Sequence, residues 1–163
     1  MKYRLKGFDK LLSQLANSSN AIVFMQECEK ALLKGGDVVA DKTRQELEGI
    51  KPDDRRYVEG QRESIRSVQK AALLKGFGIS PVQLKSKNAM DIKTGVNRAV
   101  NKLGQPNVVI ARRLENGTSY MKKNPVFSRG TRKARNECLK EMESSLNNSI
   151  NKLWNRWVIT FYF

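Results

Sequence analysis

The sequence predicts an α+β fold: a small antiparallel sheet packed against two early helices and a long C-terminal helix. Three observations predict it. Ala134, Cys138, Met142, Leu146, Ile150, Leu153 and Trp157 recur every three or four positions, which is the stripe of an amphipathic helix. Two short segments alternate instead. Tyr3 and Leu5 stand between Lys2, Arg4 and Lys6, and Met90, Ile92, Thr94 and Val96 between Asp91, Lys93 and Gly95, the period of half-buried strands. Finally, 163 residues with 39% apolar side chains and only four prolines suit one globular domain over 1–163.

Taken in order, Gly7 ends the first strand, and Phe8, Leu11, Leu12 and Leu15 follow at helical spacing, giving a helix over 8–17. The polar run Asn17-Ser18-Ser19-Asn20 offers N-caps for a second helix. Its apolar face carries Ala21, Ile22, Met25, Cys28, Ala31 and Leu32, and after Gly35-Gly36 the pattern resumes with Val38 and Val39 to about Glu48. Each glycine inside a helix costs about 1 kcal/mol relative to Ala. A kink or break is therefore expected at the pair, with Val38 and Val39 kept on the core side.

Residues 49–64, with Gly, Pro, paired Asp and paired Arg, read as an exposed excursion. A third helix from about Glu59 to Lys75 would turn Ile65, Val68 and Ala72 inward. GFGISP at 76–81 reads as a loop, since a residue before proline is biased to extended geometry. Beyond the strand at 90–96, residues 97–106 form another loop ending in GQP. A short helix over Asn107–Asn116 is closed by Gly117 at a left-handed C-cap. Asn124-Pro125 matches a cap with proline at the first helical position, opening the longest helix over roughly 125–156. The tail VITFYF at 158–163 is β-prone and uncharged. With Trp154 and Trp157 before it, the last ten positions hold five of the chain's twelve aromatic residues. A strand is expected there, added to the domain's own sheet or to a neighbouring subunit.

The absence of histidine excludes Ser-His and Cys-His nucleophile pairs, a His general base and zinc sites that need imidazole. Two cysteines are too few for an all-thiolate zinc site. Cys28 and Cys138 at apolar helical positions read as core residues compatible with a reducing compartment. The one dense acidic group is Asp53-Asp54 with Glu59 and Glu63, which a metal-dependent nuclease would use to hold a divalent cation. Interleaved Arg55, Arg56 and Arg62 make a surface ion-pair cluster the simpler reading. GFG at 76–78 lacks the GxxxxGK[ST] of a phosphate loop. No catalytic, cofactor-binding or metal-binding residue is assigned. MKYRLKGFDK lacks the apolar run of a signal peptide, and no apolar stretch approaches 18 residues. The expectation is a protein made in a cytoplasm, with no membrane partner.

Charge is unevenly spread. Residues 1–60 hold 11 Lys+Arg against 10 Asp+Glu, and residues 61–163 hold 20 against 6. A basic half of this kind points either to a polyanion, with DNA the first candidate, or to a solvated face that keeps the protein soluble. The run RGTRKAR places Arg129, Arg132, Lys133 and Arg135 around the first turns of the long helix, and Lys122 and Lys123 precede it.

The stretch GQPNVVIARRLENGTSYMKKNPVF, residues 104–127, is the most informative. Its pattern IARxxExGTSxxxKxP, running into a long amphipathic helix, resembles the neck or tail-completion protein family of long-tailed double-stranded DNA phages. The resemblance takes in the KGFDKLLSQL opening, two early helices, and GFGISP ahead of the DIKTGVN strand, covering most of 1–155. Two segments depart from it. GIKPDDRRYVEGQRESIRSVQKA stands where many relatives carry a PVDTGxL-type segment, and VITFYF lies outside the family pattern.

The motif residues have structural readings of their own. Ile110, Ala111 and Leu114 supply the buried side of a short helix. Glu115 is unfavourable to the dipole at the end of that helix, so it needs a partner, either Arg112, Arg113 or a backbone donor. Gly117 allows positive φ, Thr118 and Ser119 bond locally to the turn, and Pro125 fixes the start of the last helix. The resemblance implies a structural virion protein at the head–tail interface, made in the host cytoplasm, with no active site and no cofactor. It further implies a ring, six-fold in the family, between head-closure and tail-terminator or tail-tube proteins, around the DNA channel. Lys122, Lys123, Arg129, Arg132, Lys133 and Arg135 are the candidates to face a partner or DNA, with Arg112, Glu115, Gly117, Thr118 and Pro125 as architecture. The rival of another class is a DNA-binding regulatory or packaging protein using the basic half.

Overall fold

A computed structural model describes residues 2–4, 20–55, 64–86 and 89–160. Their order is β1 (Lys2–Arg4), α1 (Asn20–Glu48), α2 (Ser67–Gly76), β2 (Phe77–Ile79), β3 (Gln83–Ser86), β4 (Ala89–Val96), α3 (Asn107–Asn116) and α4 (Val126–Thr160). The fold class is α+β, with an antiparallel sheet centred on β4. The helix expected over 8–17 lies outside the described residues, as do residues 56–63 of the excursion. Contacts divide the chain into two compact units, and α1, β4 and α4 each contribute one stretch to either unit.

The first unit comprises residues up to Val38, 80–93 and 136 onward. Here β4 pairs with β1 (Tyr3 opposite Ile92) and with β3 (Leu84 opposite Met90), and the β3 register shifts between Leu84 and Ser86. The strands expected at residues 2–6 and 90–96 are β1, described over 2–4, and β4. The inside–outside alternation fails at Asp91, which is buried beside Ile92, whereas β3 carries no period that marks it in advance. The buried face of α1 is Phe24, Cys28, Ala31 and Leu32, and that of α4 is Cys138, Met142, Ser145 and Ser149. Glu27 meets Ser149 at 2.7 Å and Lys34 meets Glu141 at 3.9 Å, so these two stretches run antiparallel.

Three expectations are corrected in this unit. The helix is not interrupted at Gly35-Gly36. A Cβ on Gly35 would lie 2.5 Å from Met142 Sδ and 3.1 Å from Cys138 Sγ, so glycine serves close approach of α4, and packing outweighs its poor helix propensity. Second, the α4 stripe does not continue through Leu146 and Ile150, which are half-buried and 37% exposed, while Ser145 and Ser149 are buried. Steps of four residues drift about 40° round a helix with 3.6 residues per turn, so the buried face steps back by three after Met142. Ser149 Oγ bonds the Ser145 carbonyl at 2.9 Å. Third, Val158–Thr160 are helical, the last turn of α4, and not a strand. Local β-propensity is weak against propagation of a long helix. Residues 161–163 lie outside the described set.

The second unit comprises residues 39–79 and 94–135. Its core is built from Leu47, Ile50, Ile65, Leu73, Phe77, Ile110, Leu114 and Val126, and the Phe77 and Phe127 rings lie 5.7 Å apart, tilted by 38°. Val39 is buried as expected. A Cβ on Gly130 would fall 2.6 Å from Thr43 Cα, so α4 crosses α1 here at backbone contact.

Two further corrections concern residues 59–81. The third helix starts at Ser67, and the residues buried on it are Gln69 and Leu73, with Val68 37% exposed and Ala72 half-buried. Ile65 is buried but belongs to the extended stretch before the helix, where its carbonyl accepts the Asp53 N–H at 3.0 Å. A helical face counted from Ile65 is therefore out of phase. GFG is not a loop: Phe77, Gly78 and Ile79 form β2, opposite Val96, Gly95 and Thr94. Residues 97–106 are irregular, with a bridge between Val100 and Pro106, and α3 spans the residues expected of it.

Candidate partner-facing surface

At the end of α3 the chain reverses within a few residues. Gly117 takes φ +76°, which glycine adopts without strain, and its N–H bonds the Arg113 carbonyl at 2.7 Å. Thr118 Oγ1 accepts the N–H groups of Tyr120 (3.2 Å) and Met121 (3.0 Å). The Asn124 N–H returns to the Leu114 carbonyl at 2.8 Å. This closed turn leaves Lys122 and Lys123 exposed.

Glu115 finds its partner among backbone donors, not in Arg112 or Arg113. Its carboxylate accepts the N–H groups of Phe127 and Ser128, each at 3.1 Å, and the Ser128 hydroxyl. It thereby caps α4 from another element. Asn124, expected as that cap, instead accepts Arg129 Nη2 at 2.6 Å through its side chain. Pro125 stands one residue before α4, and its carbonyl accepts the Arg129 N–H at 3.0 Å.

The six basic candidates fall into two sets. Arg129 Nε lies 2.9 Å from Glu46 Oε2, and Lys133 Nζ lies 2.5 Å from Oε1. The Lys133 hydrogen bond, followed by that of Arg129, holds the Glu46 carboxyl below its ordinary value. These two cations join α4 to α1 within the second unit. Lys122, Lys123, Arg132 and Arg135 are exposed.

The 118–121 turn forms one wall of an open groove of about 490 Å³, also lined by Arg66, Gln69, Gln105 and Arg113. Two of these lining residues are bonded to each other, Gln69 Nε2 donating to Gln105 Oε1 at 2.6 Å. Two exposed guanidinium groups, with no acidic residue among the described residues of the lining, suit a carboxylate or a phosphate. Arg66, Gln105 and Tyr120 come from three separate segments, and no local pattern marks them.

The acidic cluster is engaged. Asp53 is paired with Arg55 at 2.7 Å, and the Arg55 hydrogen bonds lower its carboxyl to about 2. Asp54 accepts the Ser67 N–H at 2.9 Å, which lowers its carboxyl and places an anion at the start of α2. Glu59 and Glu63 lie outside the described residues. Cys28 and Cys138 are buried free thiols; burial and the neighbouring Glu27 push Cys28 up to about 11, and burial raises Cys138. Among the described residues no helix is long and apolar enough to cross a membrane. No protein-family model, no curated protein and no solved structure matches the chain.

Proposed function

We propose that this chain is a structural virion protein at the head–tail interface of a long-tailed phage, needed to complete the tail or join it to a filled head. It is not an enzyme in this reading. The observation that carries it is the use made of the IARxxExGTSxxxKxP stretch. Glu115 caps the following helix, Gly117 takes positive φ, and Thr118 staples the turn. Glu115, Gly117 and Thr118 are thus engaged in architecture, as an assembly component requires, while Arg112, Ser119 and Lys123 of the same stretch are exposed. The exposed Lys122, Lys123, Arg132 and Arg135 would then face acidic surfaces of adjoining rings, or the DNA in the channel, with copies of the chain arranged as a ring. The experiment is electron microscopy of phage particles made without this chain. Filled heads and separate tails are the expected result, and normally joined particles would overturn the reading.

The same four exposed cations favour the DNA-binding alternative as a second reading. Duplex DNA binding by the isolated protein, with log affinity falling steeply as salt rises, together with normal joining in the absence of the chain, would establish it instead.

A further inference from the structure

The groove walled by the 118–121 turn offers hydrogen-bond donors that the chain itself leaves unused. The Arg66 and Arg113 guanidinium groups are exposed, and neither makes a hydrogen bond or an ion pair among the described residues. After the Ser67 hydrogen bonds, the Arg66 charge helps to lower the Asp54 carboxyl, but without an ion pair between them. A relay orients the lining amides. The Arg66 N–H donates to Gln69 Oε1 at 3.0 Å and Gln69 Nε2 to Gln105 Oε1 at 2.6 Å, so what half-buried Gln105 still offers is its NH2 donor. Thr118 Oγ1 accepts two backbone N–H groups, which leaves it a proton to donate. The Ser64 proton, by contrast, is committed to the Lys51 carbonyl at 2.9 Å. Beside these donors stand Leu103 (46% exposed), Met121 and Tyr120 (63%), which supply an apolar wall.

We propose that this groove binds a nucleoside 5′-monophosphate, either free or as the 5′ end of a nucleic-acid strand. Two guanidinium charges without an ion-pair partner match a phosphomonoester, which carries about 1.5–2 negative charges at pH 7 and three strong acceptor oxygens. A carboxylate or a phosphodiester brings a single charge and balances only one of them. The phosphate accepts from Arg66 and Arg113, whose planar forks suit it in bidentate contact, and from the Gln105 amide or the Thr118 hydroxyl. The base lies against Leu103, Met121 and the Tyr120 ring, since every base has a flat face that stacks on an aromatic side chain. A volume of about 490 Å³ suits one small ligand of this size. A phosphoserine peptide fits less well, because its main-chain N–H groups meet a lining already rich in donors. The inference rests on this groove alone and stands apart from the virion reading, which a failure to bind nucleotide leaves untouched.

The test is isothermal titration calorimetry of the full chain with thymidine 5′-monophosphate. Saturable binding is expected at millimolar nucleotide or below. Arg66→Gln and Arg113→Gln should each weaken it at least tenfold, and thymidine and inorganic phosphate should each bind at least tenfold more weakly than the nucleotide. Both arginines are exposed, so the variants are expected to fold, which circular dichroism and melting temperature verify. An Arg132→Gln/Arg135→Gln control removes more positive charge elsewhere and should bind as the parent does. A thymidine hexanucleotide then separates the two sources. Tighter binding than the mononucleotide, seen with a 5′-phosphate and lost with a 5′-hydroxyl, identifies a strand end as the ligand. Equal or weaker binding identifies the free nucleotide, and either result supports the site. No binding of either phosphorylated probe to the folded chain would overturn the proposal. So would equal weakening in the Arg132 and Arg135 control, inorganic phosphate that matches the nucleotide, or a phosphoserine peptide that binds more tightly than both probes.

Discussion

The Glu115 carboxylate accepts the Phe127 N–H at 3.1 Å across twelve residues of sequence. A side chain at the end of one helix thus caps the start of the next, with the Ser128 N–H as its second donor. The same acid would be unfavourable to the dipole at the end of α3 and is favourable at the start of α4. Its position is decided by the helix it serves and not by the helix it belongs to.

Replacing Glu115 by Ala should therefore lower stability by about 1–2 kcal/mol, the usual range for losing an N-terminal cap. Glu115→Gln keeps an acceptor but loses the charge, and should cost about half as much. Urea denaturation measures both. If the Ala variant is as stable as the parent, Glu115 is not the cap.

The two glycines at the helix crossings should respond differently to Ala. At Gly130 the new Cβ meets Thr43 Cα at 2.6 Å, a backbone atom that cannot step aside, so a loss of about 2–3 kcal/mol is expected from overpacking. At Gly35 the obstacle is Met142 Sδ at 2.5 Å, and methionine repacks readily. Gly35→Ala should also gain up to about 1 kcal/mol of helix propensity, leaving it within about 1 kcal/mol of the parent. Equal melting temperatures for the two variants would contradict this ordering.

Acid should weaken the second unit through Glu46. Its carboxyl lies below the ordinary 4.5 in the folded chain. The stabilisation is complete above that pH and is lost as pH falls through the lower folded value. Stability measured from pH 6 down to pH 3 should decline less in Glu46→Gln than in the parent. Asp53 adds a solvent-screened loss between 3.8 and about 2, which Asp53→Asn should remove. Parallel curves for the parent and Glu46→Gln would exclude the Glu46 contribution.

Charge reversal should separate the two sets of cations. Arg132→Glu with Arg135→Glu should leave stability within about 0.5 kcal/mol and impair head–tail joining. Arg129→Glu with Lys133→Glu should cost about 1–3 kcal/mol, because Glu46 then faces like charges in a half-buried site. Infectivity and thermal melting of each double variant distinguish surface from scaffold. Unchanged infectivity of the first variant would reduce Arg132 and Arg135 to a solvated face.

Short-range pattern was enough to determine part of this protein. The strand expected over 90–96 is β4, and the stop at Gly117 ends α3 with φ +76°. The thiols of Cys28 and Cys138 are buried. Each of these depends on a residue and neighbours within a few positions, where helix and strand periods are expressed. Tertiary structure alone decided the rest. Gly35 became a close contact and not a break, because Met142 lies against it. Phe77–Ile79 became a strand because β4 offered it an edge, and α2 turned Gln69 inward in place of Val68 once Ile65 was held in extended backbone. Arg129 and Lys133 were committed to Glu46, 83 and 87 residues away. The physical reason is the same in every case. A residue's conformational preference is its own, but the partner that fills its hydrogen bond, its charge or its missing Cβ comes from wherever the fold brings the chain back.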